Sequence, residues 1–174
     1  MSGLYPAADR VFRPWKNGGG TTAEILCWPE GAGFDDFTLR LSTARVEASG
    51  PFSAFPGVDR ALTVIDGGDM VLHLGGASHV LAPLQPFAFA GDMPCAAVVD
   101  APLLDFNVMV RRPLAAQVWV GTMAAEARFA LLLEPKAGLQ RLDLVDLHHA
   151  DAGLVAALTG ARAVLVSLND PRTG

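Results

Sequence analysis

Three arginines, Arg40, Arg60 and Arg111, fall in segments where turn residues and aromatics crowd together, and the chemistry of that residue type is anion recognition. A guanidinium offers parallel N–H groups that match the two oxygens of a carboxylate. Lys16 adds a fourth cation, with Asn17 beside it in the same turn. Ser42, Ser53 and Asn107 are candidates for neutral hydrogen bonds, and Trp15, Phe52 and Phe55 for apolar walls, so the set describes a site for a small anionic metabolite. The competing reading is internal pairing of these arginines with Glu24, Asp59, Asp92 or Asp105. An enclosed charge stripped of its partner costs several kcal/mol, so each enclosed arginine must meet a carboxylate, water or a ligand.

Other chemistries find less support. Asp92 and Asp105 are the candidates for acid–base work. Ser53 lies in Gly50-Pro51-Phe52-Ser53, which is no nucleophile elbow. Lys16 as an amine nucleophile needs a depressed pKa. His73 and His79 are separated by five residues with a Gly75-Gly76 turn between them, and the adjacent His148 and His149 are expected on opposite faces of a strand. This spacing gives no support to a metal site, and neither metal nor cofactor is expected. The glycines of Asn17-Gly18-Gly19-Gly20 precede a strand-like Thr-Thr-Ala-Glu-Ile-Leu run and no lysine follows them, which excludes a phosphate loop. Cys27 and Cys95 sit in apolar contexts and read as buried, reduced thiols.

The elements that must position these groups read as short antiparallel strands. The chain has 174 residues, with 18 glycines and 12 prolines spread as punctuation, the pattern of an all-β protein. The expected strands include Thr22–Trp28, Asp36–Val46, Ala61–Ile65, Phe87–Ala90, Cys95–Val99 and Leu104–Val110; one short helix is signalled by Asp151 as N-cap and Gly160 as stop. In the second of these strands Phe37, Leu39 and Leu41 face one way and Thr38, Arg40 and Ser42 the other; in the last, Asp105, Asn107, Met109 and Arg111 oppose an apolar face. The site requires these polar faces to look inward onto a shared hollow. Thirteen Lys and Arg against 18 Asp and Glu give a net charge of −5, the wrong sign for a nucleic-acid partner. No apolar run approaches membrane-spanning length, so a cytoplasmic protein with no membrane partner is expected. Edge strands leave homodimerisation open.

Taken in order, Pro-Trp-Lys-Asn-Gly-Gly-Gly-Thr-Thr-x-Glu at 14–24, Leu-Arg-Leu-Ser at 39–42, Gly-Pro-Phe-Ser at 50–53, Pro-Gly-Val-Asp-Arg at 56–60, Phe-x-Phe-x-Gly-Asp at 87–92 and Asp-Phe-Asn-Val-Met-Val-Arg-Arg at 105–112 resemble the HutD/Ves family. From Pro113 onward the match is loose, and the family's tryptophan ahead of Arg40 is Leu39 here. The resemblance implies a cupin-like β-sandwich or barrel with two cupin-like halves, roughly 1–112 and 113–174, with strand exchange between them. It also implies a link to histidine utilisation, with formylglutamate or urocanate as ligand. Binding without turnover is then the leading function. The alternative is a cofactor-independent cupin enzyme, an isomerase or hydrolase acting on a related carboxylate.

Overall fold

The computed structural model describes residues 3–172. The strands in chain order are β1 (Leu4–Tyr5), β2 (Arg13–Pro14), β3 (Gly20–Trp28), β4 (Leu39–Val46), β5 (Gly50–Phe52), β6 (Val58–Asp66), β7 (Met70–Leu74) and β8 (Ala77–Leu81). They continue as β9 (Phe87–Ala90), β10 (Cys95–Val99), β11 (Leu103–Arg111), β12 (Ala115–Thr122), β13 (Phe129–Leu132), β14 (Leu144–Asp146) and, after the helix α1 (Ala152–Ala157), β15 (Arg162–Asn169). The fold is all-β, as the punctuation predicts, with one short α-helix among the described residues. The strand expected from Asp36 begins only at Leu39, because Asp36 and Phe37 both donate to the Gly33 carbonyl in a turn. The chain divides into two compact units. One holds Val11–Ala115 and the residues from Asp170; the other holds Ala116–Asn169 and the residues up to Arg10.

The first unit is a two-sheet sandwich. Its larger sheet runs β2-β3-β4-β11-β6-β9 and its smaller one β5-β10-β7-β8. In the larger sheet β11 lies between β4 and β6, so Arg40, Met109 and Arg60 form one cross-strand row, and Ser42, Asn107 and Leu62 the next. Asp105 follows, between Ala44 and Val64. Leu62 and Val64 on this face join Leu72 and Leu74 of β7 and Cys95 and Ala97 of β10 in one buried cluster, which makes it the inner face of the sandwich. The alternate residues Leu39, Leu41, Phe106 and Val108 are buried too, so β11 is buried on both faces from Asp105 to Val110. Aromatic pairs sit at both edges of the sandwich. Trp15, in the β2–β3 turn, meets Phe52 of β5 edge to face at 5.8 Å, and His79 of β8 lies 4.8 Å from Phe87 of β9.

The second unit is one sheet, ordered β1-β14-β13-β15-β12, whose buried residues Ala130, Leu132, Val145 and Leu165 pack with Leu158 just past α1. The helix starts where the sequence signals it: the Asp151 side chain accepts from the Gly153 and Leu154 N–H groups. His148 and His149 do not alternate on a strand as expected. They lie in a turn closed by Asp146, whose carboxylate accepts the His148 N–H and whose carbonyl accepts from His149 and Ala150, so both Nδ1 atoms converge on Arg128 at 3.1 and 3.2 Å. Among the described residues no three His, Cys, Asp or Glu side chains assemble as a metal-ligand set, and no helix is long and apolar enough to cross a membrane.

Candidate functional site

Period-two alternation puts Arg40 and Ser42 of β4, Arg60 of β6 and Asp105 and Asn107 of β11 on the inner face of the six-stranded sheet. Arg60 is 7% exposed, and its guanidinium is ringed by Phe89 at 5.1 Å, Phe55 at 5.5 Å and Phe52 at 5.8 Å. These rings come from three separate segments and offer π faces to the cation. One Nη donates to the Ser53 carbonyl at a long 3.5 Å, while Nε has no partner. On β11, Asp105 at 2% exposure and Asn107 at 9% each keep one oxygen, Oδ1, without a partner. Burying such groups unsatisfied costs about 1–3 kcal/mol each, so three on one inner face mark a place where hydrogen bonding has been given up.

The electrostatics follow from the enclosure. Burial pushes the Asp105 carboxyl up to about 7, against the pull of the Arg60 charge and the Ala44 N–H. Burial likewise lowers the Arg60 pKa, opposed by Cys95 and Asp105 and reinforced by Arg40. Arg40 is already matched: its Nε meets Glu24 at 3.0 Å and its guanidinium lies 5.0 Å from the Phe34 ring. Cys27 and Cys95 are buried free thiols, both with raised pKa values caused first by burial.

The inward orientation on which the site depends is present, but the interior is no wide hollow, because Val46, Leu62, Val64, Met70, Leu72 and Leu103 fill much of it. A recess of about 310 Å³ is lined by Phe34, Asp35, Ser53, Ala54, Phe55, Pro56 and Arg111; Arg60 lies behind this lining, touching its members Ser53 and Phe55. That volume suits a small metabolite. A second recess of about 220 Å³ lies at the other end of the strands around Arg45, Glu47 and Asp66, and none of its lining residues touches the Arg60 guanidinium.

The remaining candidates have other occupations. Arg111 donates Nε to the Phe37 carbonyl at 2.9 Å, and its two Nη atoms to the Phe34 carbonyl at 3.2 Å and the Pro56 carbonyl at 3.3 Å, so it pins two loops at the rim of the recess. Lys16 is exposed. Asn17 closes its turn by accepting the Gly19 N–H at 2.9 Å. Trp15 donates to Thr22 Oγ1 at 2.7 Å, and Phe52 links that ring to Arg60. Ser53 contributes its carbonyl. Asp92 is exposed, accepts the Gly57 N–H and pairs with Arg112 at 2.6 Å, and Arg112 also binds Asp59. The two acid–base candidates are therefore in unlike settings, Asp92 in a surface ion network and Asp105 within the sandwich. Phe89 and Glu24 complete the surroundings. Phe89 carries no polar signal in sequence, and only its registry opposite Arg60 reveals it.

The fold recurs in solved structures. The chain superposes on HutD from Pseudomonas fluorescens SBW25, obtained in a formate condition, with a TM-score of 0.76 and 32% identity, covering 95% of this chain and 97% of that one. A conserved protein of unknown function from Pseudomonas aeruginosa PAO1 matches with a TM-score of 0.71 and 30% identity, covering 96% and 98%. Protein Ves from Cronobacter sakazakii is 46% identical over 101 residues, and Protein Ves from Citrobacter koseri 42% over 105. Those matches take in 56% of this chain and 54% and 52% of the two Ves proteins, so the chain spans about half the length of these relatives. Because the HutD family model matches residues 7–163, a stretch that includes the arginine, its aromatic ring and the polar face of β11, the chain belongs to the HutD family.

Proposed function

We propose that this HutD-family chain binds a small carboxylate metabolite on Arg60, without a metal, and so regulates or buffers histidine utilisation; formylglutamate and urocanate are the ligands the family resemblance favours. The observation that carries the reading is the Arg60 guanidinium, buried among three aromatic rings behind the lining of a small recess, with its Nε unpartnered. A carboxylate would give that group a charge-assisted hydrogen bond. The test is a calorimetric titration with formylglutamate, urocanate and glutamate, followed by product analysis of the same mixtures. Binding without turnover is expected, and Arg60→Met should weaken it about 10- to 100-fold, the worth of a charged hydrogen bond. No binding by the folded wild-type protein would overturn the proposal.

A second reading has one observation behind it. A carboxyl raised to about 7, as Asp105 is, suits a general acid or base at neutral pH. Product formation abolished by Asp105→Asn would favour a cofactor-independent isomerase or hydrolase.

A further inference from the structure

We infer that the site takes up a proton with its ligand: a carboxylate seated on Arg60 drives Asp105 into its neutral form, so anion and proton bind together. This deepens the carboxylate-binding reading and rests on it.

The charge balance of the inner face carries the inference. Arg40 is neutralised by Glu24 at 3.0 Å, which leaves Arg60 as the compensating charge for an ionised Asp105. The two make no hydrogen bond to one another, and Asp105 Oδ1 and Arg60 Nε are both buried and unpartnered. A second anion at Arg60 would leave two negative charges sharing one cation in a water-poor interior. Like charges competing in this way force one group to stay protonated. The ligand is fixed by the guanidinium, so Asp105 is the group that yields. Protonation also supplies something the site lacks. Asp105 and Asn107 stand two residues apart on one face of β11, each with an unpartnered acceptor oxygen, and a neutral carboxyl brings an O–H donor to that pair.

The other titratable or charged groups on these inner faces are Arg60 on β6, Arg111 on β11 itself, Arg40 on β4 with Glu24 on β3, Cys95 on β10, and His79 on β8 against Phe87. Arg111 is held by three loop carbonyls, and Arg60 is the one whose charge acts on Asp105. The Asp105 carboxyl, already at about 7 without ligand, needs only a modest further push to hold its proton at pH 8.

The experiment is calorimetric titration of the full chain with N-formylglutamate and with glutarate, whose carboxylates are ionised throughout, in buffers of differing ionisation enthalpy. At about pH 8 the result expected is uptake approaching one proton per ligand, and a Kd that weakens about tenfold between pH 7 and 8.5. In Asp105→Asn, uptake should vanish and Kd should become flat with pH. Binding at pH 8 without proton uptake, or uptake that survives in Asp105→Asn, overturns the inference and leaves carboxylate binding intact. Loss of all binding heat in the folded wild-type protein sinks the binding reading together with the inference. Should Asp105→Asn fail to fold, infrared difference spectra of the wild-type protein decide. Ligand added at pH 8 must raise the carbonyl band of a neutral carboxylic acid, and an unchanged band overturns the inference.

Discussion

Arg60 on β6 and Asp105 on β11 share the inner face of one sheet and form no ion pair, each keeping a buried polar atom without a partner. A pair evolved for stability would close that gap, since buried opposite charges offset their desolvation only when geometry and hydrogen bonding are good. The missing contact leaves the burial of Asp105 only partly offset by the Arg60 charge, and it makes the protein's stability depend on pH.

Asp105 is raised in the folded state to about 7. Its contribution to stability is therefore complete below the unfolded-state value of about 4 and is lost as pH rises through 7, a decline of up to roughly 4 kcal/mol. Urea unfolding at a series of pH values should show this fall in the wild-type chain and a nearly flat profile over the same window in Asp105→Asn. Equal slopes would remove Asp105 as the cause.

Asp146 behaves in the opposite sense. Burial pushes its carboxyl up, but hydrogen bonds from Arg128 and His149 and the Arg128 charge outweigh that and hold it below the ordinary carboxylate range. Its stabilisation is present above about pH 4 and is lost as pH falls through the lowered value. Asp146→Asn should cost about 3 kcal/mol at pH 7, because it leaves Arg128 without its buried counter-charge. The deficit should shrink on acidification when midpoints are compared.

Arg111 should matter to the fold before it matters to any ligand. Lysine reproduces neither the three directions nor the plane of its bonds to Phe34, Phe37 and Pro56. Arg111→Lys is expected to lose about 2–3 kcal/mol in thermal or urea unfolding. Wild-type stability in that variant would show the bonds to be dispensable.

Two glycines are held by close approach. A Cβ on Gly20 would stand 2.3 Å from the Arg45 carbonyl oxygen and 3.1 Å from the Trp15 ring. One on Gly91 would meet the Val58 and Phe55 carbonyls at 2.8 and 3.1 Å and Arg60 Cδ at 3.3 Å. Gly20→Ala should destabilise the hairpin by about 2 kcal/mol or more with little change in carboxylate Kd, whereas Gly91→Ala should lower stability and affinity together. Titration and unfolding of the two variants separate the effects.

The sheet that carries the site was legible because alternation is a local property. Arg40 with Ser42, and Asp105 with Asn107, could be assigned to one side of their strands from spacing alone, and the structure turns both sides inward. The two- and three-residue strands Leu4–Tyr5, Arg13–Pro14 and Gly50–Phe52 are too short to show a period and escaped. Partner choice was out of reach for a different reason. That Arg40 takes Glu24, that Arg112 takes Asp59 and Asp92, and that Phe89 faces Arg60 are consequences of strand order, which no single segment encodes. His148 and His149 misled because a capping carboxylate at Asp146 ends the strand just before them.

The pairing of Leu4 and Tyr5 with Val145 and Leu144 has a consequence for biosynthesis. Those two residues leave the ribosome about 140 positions ahead of their partners, a separation that slows the search for native contacts. The sandwich is nearly contiguous and can assemble while translation proceeds. The five-stranded sheet must wait, its opening strand exposed until the last segments emerge, and it is there that chaperones or premature association would act on the nascent polypeptide.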